Sequence, residues 1–205
     1  MKTIALISRK GGCGKTTLAV HLAVCAVRAG KAVALIDLDP QGSSFDWFEV
    51  RESQDELAAT RASEQQLPEL LKQAEIGGVD LCIIDTAPHS DSAAATAAKL
   101  ADFVLVPCRP ARFDMKAIPS TMAIVQLTKT PAALVVNVAP PVGKLAEEAK
   151  EALELQGYPV LESVVSGRVA FNYAVTDGRS VHEYEPNGKA AQEISELYQE
   201  IMSVI

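Results

Sequence analysis

Residues 8–17 read Ser8-Arg9-Lys10-Gly11-Gly12-Cys13-Gly14-Lys15-Thr16-Thr17, set between an apolar run at 3–7 and a helical stretch near 15–29. A chain that leaves a buried strand, turns on glycines and enters a helix has few folds open to it. Glycines let successive backbone N–H groups point inward around a phosphate. The helix N-terminus adds the positive end of its dipole. In such a loop Lys15 reaches the β- and γ-phosphates and the Thr16 hydroxyl ligates Mg²⁺. The pattern G-x-x-x-x-G-K-[ST] is incompletely met, because Arg9 stands where its first glycine belongs. Strand context, glycines, lysine and threonine nevertheless agree on a phosphate cradle rather than an ordinary turn.

The rest of the chain repeats the same alternation. Further apolar runs at 32–36, 81–84, 103–106 and 133–138 read as buried strands. Helical stretches are expected near 64–75, 91–100, 114–128 and 144–156, with a closing helix at 188–204. Gly30 and Gly157 fall just past helices, where a cap favours positive φ. Alternating strands and helices imply βαβ units, hence an α/β fold with a mostly parallel central sheet flanked by helices. With 205 residues, no repeat and no convincing linker, one domain over 1–205 is expected.

In a parallel sheet the carboxyl ends of the strands face the ligand crevice. Asp37-Leu38-Asp39-Pro40-Gln41 ends the second run and Asp85-Thr86-Ala87-Pro88 the third. Acids there suit a water-bridged metal and an activated attacking water. The cysteines at 13, 25, 82 and 108 form no CxxC pair, and with apolar surroundings at Cys25, Cys82 and Cys108 the reading is buried small hydrophobes of a reducing cytosol. Charge excludes some functions. With 19 Lys+Arg against 26 Asp+Glu the net charge is −7, which argues against a constitutively basic nucleic-acid binder. Aromatics at 5% argue against base stacking as the main business. No stretch is long enough to span a bilayer, so a cytoplasmic protein is expected.

Three motifs together resemble the deviant Walker A ATPases, in particular ParA and ParF-like partition proteins. They are Lys10-Gly11-Gly12-Cys13-Gly14-Lys15-Thr16-Thr17, Asp37-Leu38-Asp39-Pro40-Gln41 and Asp85-Thr86-Ala87-Pro88. Val106-Pro107, Arg109-Pro110 and Val135-Val136-Asn137 also match. The resemblance runs nearly end to end, and its KGGxGK[ST] form accounts for Arg9. It implies a single-domain P-loop NTPase that binds ATP with Mg²⁺. By that likeness Lys10 is a signature lysine that crosses a dimer interface to the partner's nucleotide. Gly11, Gly12, Cys13, Gly14, Lys15, Thr16 and Thr17 hold the phosphates, with Thr17 at the α-phosphate. Asp39 orients the attacking water, Asp37 and Asp85 approach the metal through water, Asn137 reads adenine and Pro107 lines its pocket. Lys10, Lys15 and Asp39 form the catalytic set. Val138 follows Asn137 where the family often has arginine.

What the resemblance implies about function is an ATP-dependent homodimer that binds duplex DNA without sequence preference and associates with the nucleoid. A ParB-like or other adaptor would stimulate hydrolysis and release. Its cargo would be plasmid or chromosomal DNA, or alternatively a protein cluster. Arg168, Arg179 and Lys189 fall in the third of the chain where the family contacts DNA, and Arg109, Arg112 and Lys116 near the expected dimer face. With no extension before the first strand, an operator-binding helix-turn-helix is not expected. A MinD-like membrane cycle needs a basic amphipathic tail, but residues 190–202 are amphipathic and acidic, so no membrane partner is expected. An iron–sulfur reductase would have only Cys108 to offer, and a metabolic kinase would lack a second substrate domain. No histidine is expected to act as a base.

Overall fold

The computed structural model describes residues 1–53 and 56–205. Seven strands alternate with ten helices among the described residues. In the first half they run β1 (Lys2–Leu6), α1 (Lys15–Arg28), β2 (Val33–Asp37), α2 (Ser43–Glu49), β3 (Leu57–Arg61), α3 (Leu67–Ile76), β4 (Leu81–Asp85) and α4 (Asp91–Leu100). Then follow β5 (Phe103–Cys108), α5 (Arg112–Met115), α6 (Ile118–Thr128), β6 (Ala132–Ala139), α7 (Leu145–Glu154), β7 (Val160–Ser166), α8 (Val169–Thr176), α9 (Val181–Tyr184) and α10 (Lys189–Val204). The strands form one parallel sheet in the order β3-β2-β4-β1-β5-β6-β7.

Both faces of this sheet are buried, as a parallel sheet requires. In β1, Ile4 and Leu6 join a core with α1, α8 and α10, while Ala5, and Ile7 just past the strand, meet α4 and α6 on the other face. Successive side chains therefore point into different cores, and the strands read as unbroken apolar runs. Order reverses around β1, with β4 on one side and β5 on the other. The crevice at that reversal is where open α/β sheets bind ligands.

The five expected strands are present with boundaries moved by one or two residues. Gly30 (φ +78) and Gly157 (φ +81) take the expected left-handed conformation. Two strands escaped the sequence reading. β3 (LAATR) is a short edge strand that is only partly buried, and β7 (VLESVVS) carries a glutamate and two serines, so neither is a clean apolar run. The helix expected over 114–128 is two helices, because Pro119 lies in the first turn of α6 and starts it afresh. The stripe of α10 packs inward through Ala190, Ala191, Ile194, Leu197, Tyr198 and Ile201.

His21 sits in that core, in α1. Its Nδ1 accepts the Val181 N–H at 3.3 Å, and its ring lies 5.1 Å from Phe171. Burial pushes His21 down from 6.5 to about 3, the nearby His182 adding to the fall and Glu183 opposing it. The unfolded chain takes up a proton below 6.5 that the folded chain refuses until about 3. Stability is therefore complete above that window and falls as pH drops through it. Between pH 7 and 5 the expected loss is about 2 kcal/mol. Urea unfolding at the two pH values measures it, and His21→Leu should flatten the profile; an unchanged slope in the variant would remove His21 as its source.

Candidate nucleotide site

The loop after β1 takes its shape from two left-handed glycines, Gly12 (φ +74) and Gly14 (φ +91). Gly14 immediately precedes α1, which has no side-chain cap and no acidic residue in its first turn. Its leading N–H groups and dipole are left to an anion. A side chain at Gly14 has no room, because a Cβ would lie 2.3 Å from Asn137 Nδ2. Lys15 is buried beneath the loop, its ammonium donating to the Ser8 carbonyl at 3.3 Å. Lys10 is exposed near the loop's tip.

The sheet brings the expected acids to this loop. Asp37 and Asp85 end β2 and β4 and stand opposite each other in register. The Thr16 hydroxyl donates to Asp85 Oδ2 at 2.7 Å. Asp85 Oδ1 is buried with no hydrogen-bond partner among the described residues. Burial pushes the Asp85 carboxyl up from 3.8 to about 7; the Thr16 hydrogen bond opposes this, and the neighbouring Asp37 charge adds to it. Asp37 is engaged by the backbone. Its Oδ1 accepts the Asp39 N–H at 2.9 Å, and Oδ2 accepts those of Ser44 at 3.0 Å and Phe45 at 3.1 Å. Both oxygens hold the turn and the start of α2, which are needed there because α2 has no side-chain cap at Gly42. Asp39 follows on that turn, half-buried, with Oδ1 accepting the Gln41 N–H at 2.9 Å.

These residues fit Mg²⁺ bound chiefly to phosphate and water. A hydroxyl and a carboxylate oxygen without a partner converge beside the loop. Mg²⁺ typically keeps several waters and takes one or two carboxylates together with phosphate oxygens. Thr16 would hold the ion directly and Asp85 through water, with Asp37 behind Asp85.

Two cavities meet here. One of about 390 Å³ is lined by Gly11, Gly12, Lys15, Thr16 and Asp39. Another, of about 240 Å³, is lined by Val165, Ser166, Gly167, Arg168, Val169 and Phe171. Gly14, Thr17, Val138 and Asn172 line both. The first has the lining for a triphosphate and the second the size for a nucleoside. The stretch 165–172 was missed as site-forming; its signal was Gly167-Arg168 at the end of a strand that was itself unrecognised.

Three expectations change. Pro107 is buried within β5 opposite Val135 and lines neither cavity. A central strand holds it back from the crevice; the nucleoside-sized wall comes from β7 and α8 instead. Asn137 does line that cavity, but its amide Nδ2 donates at 2.7 Å to the Cys13 carbonyl in the loop. Arg168, expected at DNA, lines the nucleoside-sized cavity and pairs with Glu193 at 2.6 Å. Arg179 is exposed but pairs with Asp177 at 2.6 Å, and Lys189 is exposed at the start of α10. Arg112 and Lys116 border a groove of about 540 Å³ between α5 and α7. The four cysteines are free and buried, Cys108 included.

A parallel sheet whose first strand opens through a glycine loop into a helix, with acids at the adjacent strand ends, defines a P-loop nucleotide-binding domain. The chain belongs to the CobQ/CobB/MinD/ParA nucleotide-binding domain family, whose model matches residues 4–181. It is similar to the "Maintenance of carboxysome distribution protein A" of Gloeobacter kilaueensis, 32% identical over 203 residues that cover 98% of this chain and 92% of that one. The protein of the same name from Halothiobacillus neapolitanus is 29% identical over 209 residues, covering 98% and 96%. The solved structure of apo McdA from Cyanothece superposes with a TM-score of 0.81 over 98% of this chain and 99% of that one, at 18% identity, a likeness of fold. The chain is thus an ATPase of the ParA/MinD type, using ATP with Mg²⁺.

Asp85→Asn separates the cost of this arrangement from its use. The change removes a charge that burial disfavours, so the free protein should be as stable as the parent or more so. ATP affinity should lose most of its dependence on Mg²⁺. Calorimetric titration with and without the ion, beside thermal unfolding, measures both; intact Mg²⁺ dependence would place the metal elsewhere.

Proposed function

We propose that this ATPase dimerises with ATP and positions a large protein assembly, using non-specific duplex DNA as its track. The observation that carries the dimer is the contrast between two lysines of one loop. Lys15 is buried beneath the phosphate cradle, while Lys10 is exposed near its tip. Lys15 serves the chain's own nucleotide, and Lys10 is free to reach the nucleotide of a second copy. Two relatives that align nearly end to end, at 29% and 32% identity, are carboxysome distribution proteins, while a chromosome-partitioning ATPase of Thermus thermophilus that aligns as fully is 23% identical. The first two favour a protein assembly over plasmid or chromosomal DNA as the cargo. A membrane cycle gains no support from α10, whose apolar stripe faces the core, and no helix among the described residues is long and apolar enough to cross a membrane.

In this reading Lys15, Thr17 and the leading N–H groups of α1 bind the phosphates. Asp39 borders the phosphate-sized cavity. It accepts a hydrogen bond from the attacking water and aligns it on the γ-phosphorus. The water oxygen bonds to phosphorus as the bond to the β–γ bridging oxygen breaks, and ADP leaves with that electron pair. Thr16 and, through water, Asp85 would hold Mg²⁺, which would supply charge neutralisation at the phosphates. Turnover is slow until an adaptor engages, because few groups of one subunit besides Lys15 offset the developing charge. Arg179 and Lys189 remain the DNA contacts proposed, and Arg168 joins the nucleotide pocket.

Lys15→Ala should abolish tight ATP binding, whereas Asp39→Ala should keep ATP within about threefold of the parent affinity and lower turnover at least about a hundredfold. The Asp39→Ala protein with ATP should be dimeric and hold duplex DNA, and ADP should release it. Equal loss of ATP affinity in both variants would end that division of roles. DNA binding that is equal with ATP and ADP, or absent at low salt, would end the track.

A further inference from the structure

Asn137 lies near the end of β6, buried, and its Nδ2 donates to the Cys13 carbonyl at 2.7 Å across a separation of 124 residues. Cys13 is inside the phosphate loop, and its own thiol donates to the Lys10 carbonyl at 3.2 Å. The fit is close on every side. Gly14 must be glycine both for its φ of +91 and because a Cβ would reach 2.3 Å from Asn137 Nδ2. The next residue, Val138, is left-handed at φ +54, a conformation that a β-branched side chain resists. The β6–β7 register shifts between Asn137 and Ala139, an irregularity of the kind that re-aims a side chain. Facing it, Gly167 packs closely on Val138, a Cβ there lying 3.2 Å from Val138 Cγ1. Strain in β6 is thus held in place and aims one amide at one carbonyl of the loop.

We propose that Asn137 is a positioning residue that holds the phosphate loop in its binding shape through the Cys13 carbonyl, and so serves the phosphates of any nucleotide rather than the adenine base. The proposal rests on the nucleotide-site reading above. A carbonyl fixed by a side-chain donor keeps the peptide planes on either side of it in one orientation. The N–H groups of Gly14 and Lys15 at the helix entrance are then held toward the anion before it arrives, which lowers the ordering cost of binding. One of the two N–H groups of Nδ2 is committed to the loop at 2.7 Å, which fixes the orientation of the amide by the loop before any base arrives.

The test compares probes that share only part of ATP. Wild type and Asn137→Ala are titrated with Mg²⁺-ATP, inorganic tripolyphosphate and adenosine. The expected result is a loss of about tenfold for ATP and for tripolyphosphate alike, the size of one well-formed hydrogen bond, with adenosine unchanged. Asn137→Asp adds a readout that a merely structural role would not move. At neutral pH its carboxylate faces the Cys13 carbonyl oxygen and weakens tripolyphosphate binding. Protonated, it donates again, so its affinity relative to wild type at the same pH should recover as pH is lowered; Asn137→Ala should show no recovery. This second variant also stands if the alanine protein fails to fold. Loss of ATP binding with tripolyphosphate unaffected would overturn the proposal in favour of base reading. No loss with either probe, or an Asn137→Asp protein without pH recovery, would overturn it outright. A wild type that binds neither ATP nor tripolyphosphate would instead bring down the nucleotide-site reading and this proposal with it.

Discussion

Two buried carboxylates standing side by side set the terms for the rest of the site. Asp37 and Asp85 face each other in register at the ends of neighbouring strands, each nearly inaccessible to water. Like charges in such a place are costly unless each finds its own partners. Asp37 finds them in three backbone N–H groups, those of Asp39, Ser44 and Phe45. Asp85 has the Thr16 hydroxyl on one oxygen and nothing among the described residues on the other. One acid is thereby satisfied by the fold, and its neighbour is left with capacity for something that arrives. That asymmetry distinguishes two equivalent-looking strand ends, one acid holding a turn and the other keeping an unpartnered oxygen beside the loop.

The satisfaction of Asp37 has a reach beyond the site, because it fixes the start of α2. The other end of α2 is fixed as firmly. Trp47 Nε1 donates to the Arg179 carbonyl at 3.1 Å. The Arg51 guanidinium donates to the Gly178 carbonyl at 2.9 Å and pairs with Glu183 at 2.7 Å. Gly178 (φ +71) is pressed so closely that a Cβ would lie 2.7 Å from the Arg51 backbone nitrogen. The helix that begins beside Asp39 therefore ends against the loop between α8 and α9. The first turn of α8 in turn lines the nucleoside-sized cavity through Val169, Phe171 and Asn172. The turn that carries Asp39 and the pocket wall are two ends of one packed unit.

Much of this was legible because it is written in local chemistry. The phosphate loop announces itself through glycines, Lys15 and Thr16; the acids announce themselves by ending apolar runs; and a sheet buried on both faces makes those runs conspicuous. What stayed hidden depends on tertiary neighbours. β7 carries Glu162 and Ser163, whose backbone N–H groups are bonded by Glu200 of α10; no periodicity reveals that pairing. Arg168 looks in sequence like a free surface charge, yet Glu193 of α10 holds it at the cavity. Asn137 is marked by its place at a strand end, but only the left-handed turn at Val138 shows where its amide points.

The charge pattern bears on how such a protein could hold DNA at all. With a net charge of −7, one subunit is repelled by a polyanion at long range. Many of its arginines are also engaged close by: Arg9 with Asp91, Arg51 with Glu183, Arg61 with Asp46, Arg168 with Glu193 and Arg179 with Asp177. The exposed pairs among these are weak and exchangeable, since surface ion pairs contribute about 1 kcal/mol or less. Arg179, with its carboxylate partner also exposed, can be given up to a phosphate more cheaply than Arg51, whose guanidinium is buried. Counterion release scales with the number of phosphates neutralised at once. In the function proposed, a monomer offering one or two such groups would stay off DNA at physiological salt, whereas two copies brought together by ATP would double the number in a single encounter. An acidic chain is thus suited to such a switch, because any affinity for DNA would have to come from assembly rather than from a standing excess of positive charge.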